Sequence, residues 1–171
     1  MNISKFTQKS IEAVQNMEKV AATHGNQQIE QIHLLASLLD IDGSLIVNLI
    51  KKMGINEIEF RNEVEAAIEK LPKVSGGQSY ISNDLNKILI TAEDVAKSMG
   101  DEYVSVEHIF LNMIENPSSD IAQIFRMYGI DKDKFLKVLS EVRGNQRVVS
   151  DNPEATYDTL NKYGYDLVER A

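Results

Sequence analysis

Residues 29–39 read IEQIHLLASLL and residues 104–114 read VSVEHIFLNMI, two versions of one pattern. Setting His33 on His108 fixes an offset of 75, and that register runs without a gap from about Phe6 to about Ala67. Glu18 falls on Glu93, Val20 on Val95, Ala21 on Ala96 and Gly25 on Gly100. Further on, Ser44 meets Ser119, Gly54-Ile55 meets Gly129-Ile130 and Phe60 meets Phe135. Elsewhere the residue changes but stays apolar, as at Phe6/Ile81, Val14/Leu89, Leu35/Phe110 and Val64/Leu139. Matched glycines within a gapless register of that length identify a tandem duplication, so the fold follows from the unit that is repeated.

That unit has helical periods. Phe6, Ile11 or Ser10, Val14, Met17 and Ala21 recur at threes and fours, a stripe that one helix face can bury. Gly25, and Gly100 in its twin, stand where a helix C-terminal stop is expected. A second helix is expected over roughly 30–40, with Ile32, Leu35, Leu38 and Leu39 inward. A third, near 43–53, carries Leu45, Ile46, Leu49 and Ile50 and stops at Gly54. Asn56, followed three positions later by Glu59, caps a fourth that runs through Phe60, Val64, Ala67, Ile68 and Leu71; Asp131 takes the capping part in the second copy. No stretch carries a convincing strand pattern. The expected fold class is all-α: two four-helix copies, 1–71 and 81–143, related by a pseudo-two-fold axis.

Pro, Gly-Gly and Ser mark 72–80 as the linker between the copies. Residues 144–152 are polar and unperiodic and read as a second, flexible linker. Asn152-Pro153 then opens a last helix over 153–171, with Asn at the cap, Pro at the first helical position and a stripe of Tyr157, Leu160, Gly164, Leu167 and Val168.

Composition narrows the function classes. The chain has 171 residues, 43% hydrophobic and 26% charged, as expected of a globular domain with a real core. Asp and Glu outnumber Lys and Arg by 26 to 18, a formal net charge of −8 that disfavours general binding to phosphate backbones or anionic membranes. The absence of Cys removes disulfides, thiolate nucleophiles and thiolate metal sites, and fits a reducing cytoplasm. No apolar run approaches the ~18–20 residues of a membrane span, and MNISKFTQKSIEAV lacks the apolar core of a signal peptide. A cytoplasmic protein is expected.

Chemistry is harder to find. His24, His33 and His108 are the three histidines, and no GxSxG surrounds any Ser. His33 and His108, at equivalent places, are expected near helix starts with their rings hydrogen-bonded to backbone rather than as metal ligands. Gly76-Gly77 is not followed by GK[ST], and neither GxxxxGK[ST] nor GxGxxG occurs, so no nucleotide site is visible and no cofactor or metal is expected. Glu57/Glu59 and Asp101/Glu102 read as helix-start charges and solvated surface. Met17, Met53, Met99, Met113 and Met127 could form a pliable binding surface, but most fall on core positions. What remains is a double helical repeat whose seam is a natural place for a groove, which is a binding module.

The doubled IEQIHLLASLL/VSVEHIFLNMI pattern resembles the Clp N-terminal repeat of Clp-type AAA+ chaperones. The turn before it, HGNQQIE at 24–30, departs modestly from the family's Gly-His-Asn-Gln-like form. RGNQRVVSDNPEATYDTLNKYGYDLVERA (143–171) is similar to the stretch that joins this domain to the first ATPase module in the ClpB-type disaggregase branch. The resemblance covers the whole chain. It implies two four-helix units with pseudo-two-fold symmetry, forming a substrate-engaging N-domain that helps capture unfolded or aggregated polypeptide for threading by a hexameric ATPase ring working with a DnaK-type system. ATP and magnesium would belong to the parent's ATPase modules, and the isolated domain would be monomeric and non-catalytic. The alternative within the family is an adaptor-docking N-domain of a ClpC- or ClpA-like unfoldase serving a protease, against which the tail argues. A carboxylate hydrolase would have to show turnover without any ATPase module.

By position, the resemblance assigns polypeptide binding to Thr7, Asp101 and Glu107. The duplication adds that Glu107 stands where the first copy has Ile32, and Asp101 where it has Asn26. The second copy is acidified where the first is not, and a duplicated place that diverges in charge is a reasonable place for function.

Overall fold

The computed structural model describes residues 3–144 together with residues 148, 149 and 151. The helix expected over 153–171, its cap at Asn152-Pro153 and much of the linker expected before it lie outside the described residues. A short 3-10 turn, Ile3–Lys5, leads into the first copy: α1 (Gln8–Thr23), α2 (Gln31–Asp40), α3 (Leu45–Lys52) and α4 (Glu57–Glu69). The second copy follows as α5 (Asn83–Ser98), α6 (Val106–Glu115), α7 (Ser119–Tyr128) and α8 (Lys132–Arg143). First, second and fourth helices start 75 residues apart in the two copies, and the third starts one residue earlier in the second. The chain is all-α, as its periods predict.

Helix starts follow from local chemistry. Asn56 Oδ1 accepts from the Glu59 N–H at 3.0 Å and Asp131 Oδ1 from the Lys134 N–H at 2.8 Å. Each cap satisfies one otherwise orphaned donor, worth about 1 kcal/mol. On α1 the fully buried place is taken by Ser10, while Ile11 packs at the margin of the core.

The second helix departs from expectation. Ile32, Leu35, Leu38 and Leu39 face inward, but so does every residue from Gln31 to Leu39, and α6 is likewise buried from Val106 to Met113. A helix wrapped on all sides by others has no solvent face to make polar. Around α2 pack α1, α3 and α4 of its own copy and α5, α6 and α7 of the other, so the two second helices form the hub of a shared core. Phe110, Phe125 and Phe135 stack there with centroids 5.0–5.2 Å apart, and Phe60 of α4 meets Tyr128 of α7 edge-on across the copies at 5.3 Å.

Two short extended pairings also appear where no strand was expected. Gln28–Ile29 runs parallel to Tyr80–Ile81, and Phe6 bridges Val104 in the same sense. They are too short to leave a period in the sequence, yet they obey the duplication. Ile29 and Ile81 of the first pairing correspond, after the 75-residue offset, to Val104 and Phe6 of the second. The segment entering each copy therefore lies against the other copy's connection to its central helix. The Ser82 N–H donates to the Ile29 carbonyl and the Thr7 N–H to the Val104 carbonyl, both at 2.9 Å, repeating the exchange. No single described helix is long and apolar enough to cross a membrane.

Candidate functional site

An open groove lies at the seam between the copies, between α4 and α7. Ala67 and Leu71 from α4 and its end, with Ile124 and Met127 from α7, supply its apolar floor. Its volume is about 310 Å³. Met127 is 55% exposed there, whereas Met17 and Met113 are fully buried and Met53 and Met99 pack against the core. Four of the five methionines therefore follow the core expectation, and one does not. Glu30, Glu63, Asp84 and Asp120 rim the groove against the ammonium of Lys70. Burial raises the pKa of the Glu30 carboxyl, and the charges of Asp120 and Asp84 raise it further against a lowering hydrogen bond from Ser82.

Thr7, Asp101 and Glu107 lie elsewhere, together, and under cover: their exposures are 0%, 4% and 0%. They gather about the connection into α6. Thr7 caps α1, accepting from the Ser10 N–H at 3.2 Å, and its hydroxyl donates to Ser10 Oγ, which donates on to the Val104 carbonyl. Asp101 receives three donors: His108 Nε2 at 2.6 Å, Arg143 Nη2 at 2.6 Å and the Val148 N–H at 2.9 Å. Burial works to raise its pKa, but those hydrogen bonds and the nearby guanidinium outweigh it and hold the carboxyl well below the usual carboxylate range. Glu107 accepts from the Ser105 hydroxyl, and its other oxygen lies 3.4 Å from Arg143 Nη1.

The histidines behave as their position predicts. The backbone N–H of Glu30 donates to His33 Nδ1 and that of Ser105 to His108 Nδ1, so each ring carries its proton on Nε2. His33 Nε2 donates to Asn26 Oδ1 at 2.9 Å, where His108 has Asp101. Burial above all, then the neighbouring His24, depresses the His33 pKa to about 4. His24 donates from Nδ1 to the Val20 carbonyl and sets Nε2 2.9 Å from Glu65. With Glu69 these donors lie within 4.8 Å of one another, but the two carboxylates are exposed and the imidazole–Glu65 pair accounts for the arrangement.

Sequence reasoning missed Arg143. It stands where the first copy has Ile68, one position past the end of the register followed above. The neutral set Asn26, Ile32 and Ile68 thus becomes Asp101, Glu107 and Arg143, so three replacements form one buried group in which a single guanidinium faces two carboxylates. Extending the comparison by one residue would have shown it. Chemically the chain offers an apolar groove with an acidic rim on one side and a sealed ionic corner on the other.

The Clp repeat (R) N-terminal domain family matches residues 5–128. A "Chaperone protein ClpB" of Nitratidesulfovibrio vulgaris is 42% identical over 177 residues, an alignment that covers 100% of this chain and 20% of the relative. The chain thus spans about one fifth of the length of the curated relatives it matches. Among solved structures, the Hsp104 N-terminal domain from Candida albicans superposes with a TM-score of 0.76 at 25% identity, covering 86% of this chain and 97% of that one. A ClpV N-domain in complex with a VipB peptide has the same fold, with a TM-score of 0.66 at 19% identity over 81% of this chain and 86% of that one.

Proposed function

From the premise that the chain belongs to the Clp repeat N-terminal domain family, we propose that it is the substrate-binding N-domain of a ClpB-type disaggregase, capturing unfolded or aggregated polypeptide loosely. The open groove between α4 and α7 carries the reading, because its apolar floor with an exposed Met127 suits a side chain from an extended or helical segment. Family kinship supports it: the relatives aligned along the whole chain are ClpB chaperones, and a ClpV N-domain of the same fold was solved with a peptide. Under this reading the parent is a cytoplasmic AAA+ ATPase, hexameric and served by a DnaK-type system, and the domain itself catalyses nothing.

Magnitudes bound the mechanism. A shallow groove burying about 200–400 Å² of apolar surface gains roughly 5–10 kcal/mol. Ordering and associating an extended chain cost about 4–15 kcal/mol, so the net binding is weak and quickly reversed. A module that must pass its client onward needs that balance. The test is a titration of a permanently unfolded protein into the domain, followed residue by residue by NMR. Shifts should centre on Ala67, Leu71, Ile124 and Met127; a saturating interaction that leaves all four unmoved removes the groove from the proposal, and no interaction at all removes client capture.

A further inference from the structure

The corner that buries Asp101 is closed from outside by the chain's own continuation, through contacts that another chain could reproduce. Val148 is fully buried. Its N–H donates to Asp101 Oδ1 at 2.9 Å, and its carbonyl accepts from the N–H groups of Glu102 at 2.8 Å and Tyr103 at 3.3 Å. The Asp151 carbonyl accepts from the Gln8 N–H at 2.6 Å, a donor that the first turn of α1 leaves free. In all four bonds the occupant contributes only peptide groups, and it sinks one aliphatic side chain. Extended peptides are held in this manner, by main-chain bonds with a pocket for one residue.

The duplication says what the corner corresponds to. Gln8 and Lys9, at the start of α1, are the counterparts of Asn83 and Asp84 at the start of α5, and Asp84 lines the open groove. Glu30, which also lines that groove and is half-buried, is the counterpart of the fully buried Ser105. The residues of the corner itself, Gln8, Asp101, Glu102 and Tyr103, correspond to Asn83, Asn26, Gln27 and Gln28, and there too the chain's own continuation lies over the loop: Asn26 Nδ2 donates to the Pro72 carbonyl at 3.0 Å and the Val74 N–H to the Gly25 carbonyl at 2.9 Å.

We infer that Gln8, Asp101, Glu102 and Tyr103 form a second seat for polypeptide, held in this structure by the chain's own Val148 and Asp151, and that an extended client segment bearing a small branched aliphatic side chain enters by displacing them. The inference rests on the reading that the domain captures unfolded polypeptide. It gives Thr7, Asp101 and Glu107 a task compatible with burial: they shape the seat from beneath, and Asp101 accepts directly from the occupant. Capture is then weakened by the fraction of seats that the chain fills itself.

The test uses the whole 171-residue chain and reduced, carboxymethylated α-lactalbumin as an unfolded client. Val148→Pro removes the N–H given to Asp101 and should tighten binding about three- to tenfold. Gln8 and Asp151 side chains approach within 3.4 Å, and the chain has no Cys, so Gln8→Cys with Asp151→Cys offers a single possible disulfide. Oxidation of that pair should weaken binding at least threefold, and reduction should restore it. The pair also reports if Val148→Pro fails to fold. Equal affinity in the wild type, in Val148→Pro and in both redox states of the pair overturns the second seat while leaving capture standing. No binding by any form, the wild type included, overturns capture and the seat together.

Discussion

Arg143 Nη2 donates to Asp101 Oδ1 across 2.6 Å, tying the end of the last described helix to a loop 42 residues earlier. With Glu107 Oε2 3.4 Å from Nη1, one guanidinium faces two carboxylates, all three side chains at most 4% exposed. Such a group is coupled: removing the cation strands two buried anions. Arg143→Met should therefore cost about 3–5 kcal/mol of unfolding free energy by urea titration. A loss below 1 kcal/mol would mean that the acids find other partners.

The first copy already contains the neutral solution to the same packing problem. Grafting it as Asp101→Asn, Glu107→Ile and Arg143→Ile removes the charges together. The triple variant should retain stability within about 2 kcal/mol of the wild type, because well-packed apolar replacements of buried ion groups are often neutral. It should also be more stable than Arg143→Met alone, and the same urea titration decides both. Single changes at Thr7, Asp101 or Glu107 to Ala are poorer probes of binding, since each also perturbs a buried hydrogen bond or ion pair.

Acid should act in two stages. The folded pKa of His33 lies near 4, below the ordinary 6.5, so the unfolded chain binds the proton more readily. Stability from this group is complete above about pH 6.5 and falls as pH drops toward 4, by roughly 3 kcal/mol at the limit. Asp101 is depressed too, but as an acid: its contribution is present above the unfolded value near 3.9 and is lost only below it. Urea midpoints at pH 7, 5.5 and 4 should decline through the first window, while the His33 ring remains neutral by NMR at pH 5. A His33 titration centred at 6.5 would remove this account.

Met127 separates binding from folding. At 55% exposure, its replacement in Met127→Glu should change stability by less than about 0.5 kcal/mol. The added carboxylate joins the four on the rim and interrupts the apolar floor, so capture of an unfolded client should weaken several-fold. Anisotropy titration beside thermal melting checks the pair of expectations, and undiminished capture would move the client surface elsewhere.

Much of the architecture was legible because duplication and helical period are written in side-chain types. Helix ends were legible as well: Asn56 and Asp131 cap as their residue type requires. The all-round burial of α2 was not, because Ile32, Leu35, Leu38 and Leu39 show one apolar face and the others are covered only when helices of both copies pack around it. For the site, sequence could pair Asp101 with Asn26 and Glu107 with Ile32, but charge divergence alone does not distinguish an exposed contact from a buried lattice of acids around an arginine. The groove residues used the same apolar alphabet as the core, and only packing separates Met127 from Met113.

The paired exchanges of Phe6 with Val104 and Ile29 with Ile81 carry a consequence for solitary halves. A polypeptide with one four-helix unit would present both an unmet lead-in and an unmet acceptor, and would complete them by swapping arms with a sister molecule. Covalent fusion turns that dimerisation into an internal event whose effective concentration no longer depends on dilution. Such a duplicated chain keeps the symmetry of a homodimer while freeing one half to diverge, which no true homodimer can do.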